Sequence, residues 1–144
     1  MGSDEQGVSG EIQVVGPNDW VAEDRHQTRG MLRAAAIAGV TTGTKNIWMG
    51  FVTMPPGAVS GVHHHAHCET GIYLLKGHAR WDFGPNLEGS VVANPGDFVW
   101  VPPYVIHREA NLSQDEPIEM VLARSSQETL VVNVDWPQTE ESAQ

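Results

Sequence analysis

The sequence has few cysteines and no long hydrophobic run, and each shortage excludes a class of protein. One cysteine, Cys68, cannot form an internal disulfide, so the 144-residue chain is not a disulfide-stapled scaffold and suits a reducing compartment such as the cytoplasm. No apolar stretch approaches the roughly 20 residues of a membrane helix, and the N-terminus lacks the basic and apolar regions of a signal peptide. We therefore expect an unsecreted cytoplasmic protein with no membrane partner.

Basic residues are also scarce. Only 8 lysines and arginines stand against 18 acidic residues, which gives a formal net charge of -10. Such a surface repels phosphate backbones and anionic membranes, and the basic residues are too scattered to hold a polyanion. Nucleic acid is therefore not an expected partner, whereas one or two of these cations could still meet a carboxylate on a small-molecule substrate.

What the sequence does contain is a regular succession of short apolar runs separated by glycine, proline and asparagine, which is typical of an all-β sandwich or barrel. Polar, acidic segments predict disordered tails at 1–10 and 138–144, with one domain over 11–137. The strongest helical candidate is the alanine-rich segment 31–38. Nine strands are predicted, at 45–54, 62–67, 71–75, 79–83, 90–93, 98–101, 106–111, 118–124 and 129–134. So many short strands favour an antiparallel barrel that is closed or nearly closed.

The densest chemical signal is the run His63-His64-His65-Ala66-His67-Cys68-Glu69. Alternate side chains of a strand share a face, so we expect His63, His65 and Glu69 on one face. His67 has the same parity and is a rival to Glu69, while His64 points the other way. A mixed imidazole and carboxylate set describes a catalytic transition-metal site better than a calcium site. The competing interpretations are a histidine-rich surface strand and a closed structural zinc site, which usually needs more thiolates than one cysteine supplies.

Together with a later segment, this run resembles the two sequence motifs of the cupin family. The first motif, G-x5-H-x-H-x3-E followed by a glycine, is matched by Gly57, His63, His65, Glu69 and Gly77. The second motif, G-x5-P-x-G-x2-H-x3-N, is matched by Gly96, Pro102, His107 and Asn111. There are two departures from the family pattern, because seven residues separate Glu69 from Gly77 and Tyr104 replaces the glycine of the second motif.

The resemblance implies a single-domain jelly-roll β-barrel, all-β in class, with one divalent transition metal inside. The implied ligands are His63, His65, Glu69 and His107. Manganese or iron is the expected ion, with nickel, zinc, cobalt and copper as alternatives. His67 stays open as a replacement for Glu69 if the strand runs straight. Resemblance to the family also implies a homodimer.

The alternation of side chains, extended from the implied ligands, predicts two further side chains on the inner face. Parity puts Tyr73 on the same face as Glu69, and Glu109 on the same face as His107. Tyr73 and Glu109 are therefore candidate catalytic residues, as a proton donor and as a partner for the free N–H of a ligating imidazole. Packing alone is the alternative for both. Three tryptophans in apolar strands are expected to fill the barrel, namely Trp48, Trp81 and Trp100.

The predicted function is that of a metal-dependent oxidoreductase or lyase, such as a dioxygenase or decarboxylase, acting on a small oxygenated or carboxylate substrate. Four protein ligands leave about two positions of a six-coordinate ion open, which suits substrate binding. A non-catalytic module that binds a metal and a small ligand is the alternative. One fold hosts many reactions, so the resemblance does not select the substrate.

Overall fold

The computed structural model of the protein describes residues 10–23, 30–128 and 130–137, and the predicted tails at 1–10 and 138–144 lie outside these ranges except for Gly10. Within them the chain forms a 3-10 turn at Pro17–Asp19 and one short α-helix, α1, at Gly39–Thr42. The strands are β1 (Val21–Glu23), β2 (Leu32–Ile37), β3 (Trp48–Met54), β4 (His63–His64), β5 (Thr70–Lys76), β6 (Ala79–Phe83), β7 (Gly89–Ala93), β8 (Phe98–Val101), β9 (His107–Asn111), β10 (Ile118–Arg124) and β11 (Val132–Asn133).

The strands form two antiparallel sheets, which confirms the predicted all-β jelly roll. One sheet has the order β1-β2-β3-β10-β5-β8 and the other has the order β11-β4-β9-β6-β7. A single hydrophobic core draws side chains from both sheets, so the sheets pack face to face. Within the described residues, no helix is long and apolar enough to cross a lipid bilayer.

Alternate residues of the central strands face the core. In β3, Trp48, Val52 and Met54 are buried while the intervening side chains are partly exposed. The neighbouring strand β10 alternates in the same way, but its inward set ends in a charged residue, Arg124, which lies opposite Trp48 in the register. The two-residue period thus carries one arginine into the interior.

The helical candidate at 31–38 does not form a helix, because most of this segment forms strand β2. Its burial alternates with a period of two, so that Arg33 and Ala35 are buried while Leu32 is 66% exposed. Pairing with β3 overrides the helix propensity of the alanines.

Two of the three tryptophans expected to fill the barrel do so. Trp48 and Trp81 are buried in the core, whereas Trp100 is 65% exposed. Trp100 lies in β8, an edge strand, between Val99, which packs against the core, and the buried Val101. The prediction for Trp100 is therefore wrong, because residue 100 has outward parity on its strand.

Candidate metal centre

Three buried histidines from two neighbouring strands converge inside the barrel. His63 lies in β4, His65 directly follows that strand, and His107 opens β9. His63 and His107 are partners in the register of β4 and β9. One ring nitrogen from each of the three histidines lies within 4.8 Å of the others. Three nitrogens at this spacing can reach one transition-metal ion with small side-chain adjustments.

The other ring nitrogen of each of these histidines is held by the backbone. The Nδ1 atoms of His63, His65 and His107 lie 2.8, 2.8 and 2.9 Å from the carbonyl oxygens of Gly61, Leu130 and Val105. A carbonyl only accepts, so each Nδ1 donates its proton and each Nε2 of a neutral ring keeps its lone pair. The Nε2 atoms of His63 and His107 have no hydrogen-bond partner within the described residues. Buried polar atoms without a partner are unusual, and a metal ion would satisfy both.

A carboxylate, Glu109, joins the same cluster. Glu109 follows His107 by two residues on β9, and both side chains are buried on the inner face. Its Oε1 lies 3.7 Å from His107 Nε2 and 4.0 Å from His63 Nε2. The backbone N–H of Glu109 donates to Ser60 Oγ at 2.8 Å, which fixes this part of β9. The structure thus brings the predicted catalytic residue Glu109 to the histidines.

The charges of the carboxylate and the imidazoles are coupled. Burial opposes the charge of Glu109, but His107 and the other two histidines lower the pKa of its carboxyl to about 2. Burial lowers the pKa of His63, and it lowers the pKa of His65 to about 4. Burial also opposes a charge on His107, but Glu109 outweighs it and raises the pKa of that ring. At neutral pH Glu109 is therefore a carboxylate and the His65 ring is neutral, and a carboxylate together with imidazoles is a donor set for a transition metal.

Glu69, the fourth ligand that the motif implied, does not join the cluster. It is exposed, and its Oε1 accepts a 2.9 Å hydrogen bond from Trp100 Nε1. The parity argument for Glu69 is wrong because the chain turns between β4 and β5, where Ala66 has a φ of 50°. The next side chain that faces the interior is that of the buried Thr70, one residue after Glu69.

The same change of parity moves Tyr73 to the outer face. The buried residues of β5 are Thr70, Ile72 and Leu74. Tyr73 is half-buried and packs against Phe98, with ring centroids 4.7 Å apart. The structure therefore corrects the predicted inward position of Tyr73 and separates its hydroxyl from the histidines.

The remaining histidines lie apart from the cluster. His67, the rival to Glu69, is exposed and is not among the three clustered histidines. His64 follows the inward His63 on β4, so it faces the opposite side, as predicted. His78 is exposed, and His26 lies outside the described residues.

Two motif positions hold the backbone around the cluster. Tyr104 has a φ of 62°, the left-handed conformation that explains why the family pattern has glycine there. Its N–H donates to Ala66 O at 2.8 Å and so joins the turn before His107 to the turn after His65. The buried amide of Asn111 donates to three backbone carbonyls and anchors the end of β9.

An apolar cavity of about 320 Å³ opens beside the cluster. Its wall includes Trp81, Phe83, Val91, Val99, Val105 and His107. Strands β7 and β8 form the edges of the two sheets, so the cavity lies in the cleft between those edges. This volume is within the range of small-molecule sites.

A second, much smaller cavity shares Val101 and His107 with the first. Its volume of about 10 Å³ matches one water molecule. The wall includes two arginines, Arg33 and Arg124, which sequence reasoning missed. Arg33 was hidden by the helix assignment of its segment. Arg124 was detectable, because it has the parity of the apolar residues in β10.

Comparisons with known proteins agree with this geometry. The family model described as "Cupin domain" matches residues 50–124, which are 75 of the 144 residues and include the histidine cluster and Glu109. A comparison with proteins of curated function finds no match.

Several solved structures share the fold. The polyketide cyclase RemF from Streptomyces resistomycificus is 18% identical, with a TM-score of 0.72 over 92% of this chain and 90% of that one. A cupin-2 domain protein from Rhodospirillum rubrum is 20% identical, with a TM-score of 0.64 over 92% and 84% of the two chains. A protein described as a predicted oxalate decarboxylase, from Thermotoga maritima, is 17% identical, with a TM-score of 0.62 over 85% and 100%. At these identities the likeness shows the fold alone.

Proposed function

Since the chain belongs to the cupin family, we propose that it is a metal-dependent enzyme that acts on a small oxygenated or carboxylate substrate, as a dioxygenase or as a decarboxylase or lyase. One observation carries this proposal. Three buried imidazoles have their Nδ1 atoms bonded to carbonyls, so their Nε2 lone pairs are left for a common ion.

The residues present fit a metal ion. His63, His65 and His107 would hold it through Nε2, and Glu109 would contribute its carboxylate. Manganese or iron suits this set, because the carboxylate adds affinity for harder ions to three imidazoles. Both Nε2 atoms that lack a partner lie within 4.0 Å of Glu109 Oε1, so one ion could serve all three groups.

A bound ion would supply Lewis-acid or redox chemistry to an oxygen of the substrate. The protein's own residues would do the rest. The apolar cavity would bind the body of the substrate and exclude water from the site. Glu109, buried and ionised, would hold a negative charge beside the ion and the ligating imidazoles.

The proposed substrate class is compatible with the descriptions of two structural neighbours, a polyketide cyclase and a predicted oxalate decarboxylase, which do not select the reaction. The apolar lining of the larger cavity favours a substrate with a hydrophobic body over a small dianion such as oxalate. The homodimer and the cytoplasmic location expected from the sequence stay predictions.

Elemental analysis of protein purified without chelator and without a nickel column tests the proposal. We expect a stoichiometric divalent ion in the wild type and in His78→Ala, a control at an exposed histidine, and little metal in His107→Ala. A screen of oxygen uptake and carbon dioxide release with keto acids, diketones and phenolics would then look for turnover. A protein that binds neither manganese(II) nor iron(II) would contradict the proposal, and a loaded protein without turnover would favour the non-catalytic binding module.

A further inference from the structure

Arg124 is a buried cation, and no carboxylate of the described residues forms an ion pair with it. Its side chain ends β10, and the residue is 7% exposed. The guanidinium carbon lies 4.2 Å from the ring centroid of Trp48. Nε has no hydrogen-bond partner, and within the described part of the chain the guanidinium forms no ion pair. Because burial of a charge without a direct ion pair is costly, an arginine in this setting would be stabilised by an anion that binds beside it.

Arg124 lines the small cavity that His65, His107 and Glu109 also line. Its register partner on β5 is Thr70, whose buried Oγ1 likewise has no hydrogen-bond partner in the described residues. A guanidinium and a hydroxyl therefore stand side by side, both with unused hydrogen-bonding capacity, at the edge of the candidate metal centre. This pair can bind an oxygen that carries negative charge.

Two residues of strand β3, Trp48 and Gly50, position the Arg124 guanidinium. The Trp48 ring lies against Gly50, where a Cβ atom would collide with the indole and with the carbonyl oxygen of Ala34. Glycine at position 50 thus leaves space for the Trp48 ring, against which the Arg124 guanidinium packs. The carboxylates whose charge reaches Arg124 are Glu23 and Glu109, while Arg33 adds a second positive charge beside the cavity.

We propose that Arg124, with Thr70, binds a carboxylate of the substrate at the metal centre while the apolar body of that substrate occupies the larger cavity. The two cavities share Val101 and His107, so one molecule can extend from one to the other. The small cavity has room for one oxygen atom of a carboxylate. This inference rests on the proposed function and narrows its substrate class to apolar, for example aromatic, monocarboxylates.

Binding of benzoate and of the uncharged benzyl alcohol to the zinc-loaded protein tests the inference, with affinities from ligand-observed NMR. We expect the wild type to bind benzoate at least about tenfold more tightly than benzyl alcohol, as one charge-assisted contact allows. Arg124→Met should abolish that preference and leave benzyl alcohol binding and metal content unchanged. The matched control is Arg80→Met, at a partly exposed arginine that pairs with Asp82 at 3.0 Å, and it should keep the preference. Wild-type affinity of Arg124→Met for benzoate, or equal affinity of the wild type for both probes, would overturn the inference.

Thermal unfolding of the same proteins separates binding from structural support. Because Arg124 is buried and has no direct ion pair within the described residues, Arg124→Met should melt at the wild-type temperature or above it. A lower melting temperature or a failure to fold would show a structural role and contradict the inference. Elemental analysis of each sample keeps the two proposals distinct. A wild type without metal would defeat the proposed function, and the benzoate preference of that metal-free protein would still decide the role of Arg124.

Discussion

Replacement of Glu109 by glutamine should weaken metal binding far more than the same replacement of Glu69. The change is isosteric and removes one negative charge. At position 109 that charge lies 3.7 and 4.0 Å from two Nε2 atoms that have no hydrogen-bond partner in the described residues. At position 69 the charge is exposed and is engaged with Trp100 on the outside of the barrel.

The expected magnitude follows from these distances. Attraction between a carboxylate and a divalent ion about 4 Å away, at an effective dielectric constant of about 20, has an upper bound of about 8 kcal/mol. Folding has already buried and ionised Glu109, so desolvation of its carboxylate offsets little of this attraction energy when the ion binds. Removal of a carboxylate that only supports a metal site costs about 10- to 100-fold in affinity. We therefore expect Glu109→Gln to lose at least about 100-fold, or about 2.7 kcal/mol, and Glu69→Gln to lose less than about twofold.

Competition with a fluorescent chelator for manganese(II) measures both affinities. Circular dichroism on the same samples verifies that each variant is folded. A large loss in Glu69→Gln together with near-normal binding in Glu109→Gln would refute the reasoning, because the motif would then identify the carboxylate ligand correctly and the inward position of Glu109 would not.

Three further predictions concern stability. In metal-free protein, the pKa of His65 is about 4, against about 6.5 in an unfolded chain, so the unfolded state binds the proton first. The free energy of unfolding should therefore fall by up to about 3 kcal/mol as the pH drops from about 6.5 to 4. The lowered pKa of His63 adds to this loss, whereas the raised pKa of His107 acts mainly above pH 6.5. Urea unfolding in EDTA should show a weaker pH dependence in His65→Asn, and an equally steep dependence in that variant would exclude His65 as the cause. Tyr104→Gly should raise the free energy of unfolding by about 0.5–1 kcal/mol, because glycine adopts a φ of 62° without strain. A loss of stability in this variant would show that packing of the exposed tyrosine ring outweighs the backbone strain. Gly50→Ala should destabilise the fold by about 1–3 kcal/mol and perturb tryptophan fluorescence, whereas Gly71→Ala, at a glycine with open space around it, should have little effect.

The strands with clear punctuation were predictable from the sequence. β6, β8 and β10 have the predicted bounds, 79–83, 98–101 and 118–124. Glycine or proline flanks each of these runs on at least one side, and their residues are apolar or β-branched at alternate positions. β2 was not predictable in this way, because alanine favours helices and the pairing with β3 that overrides this preference is not a local property.

The histidines of the candidate site and the inward position of Glu109 were predictable, but the outward position of Glu69 was not. His63 and His65 share a strand face by parity, and the second motif added His107. The alternation then failed at Ala66, where a left-handed residue turns the chain and moves Glu69 outward. A single non-glycine residue with positive φ leaves no compositional signal, so the reversal could not be seen in the sequence.

The register of β4 has a consequence for local dynamics. β4 spans two residues and meets β9 at the His63–His107 pair, while β11, also two residues long, is attached through β4. A metal ion held by both histidines would act as a cross-strand clamp on the least securely paired part of this sheet. Its contribution to stability would grow with the free concentration of the ion, by about 2.7 kcal/mol at 100 times the dissociation constant. In a metal-starved cell, amide hydrogen exchange should therefore rise first in β4 and β11, so that metal supply sets the lifetime of this edge of the protein as well as its chemistry.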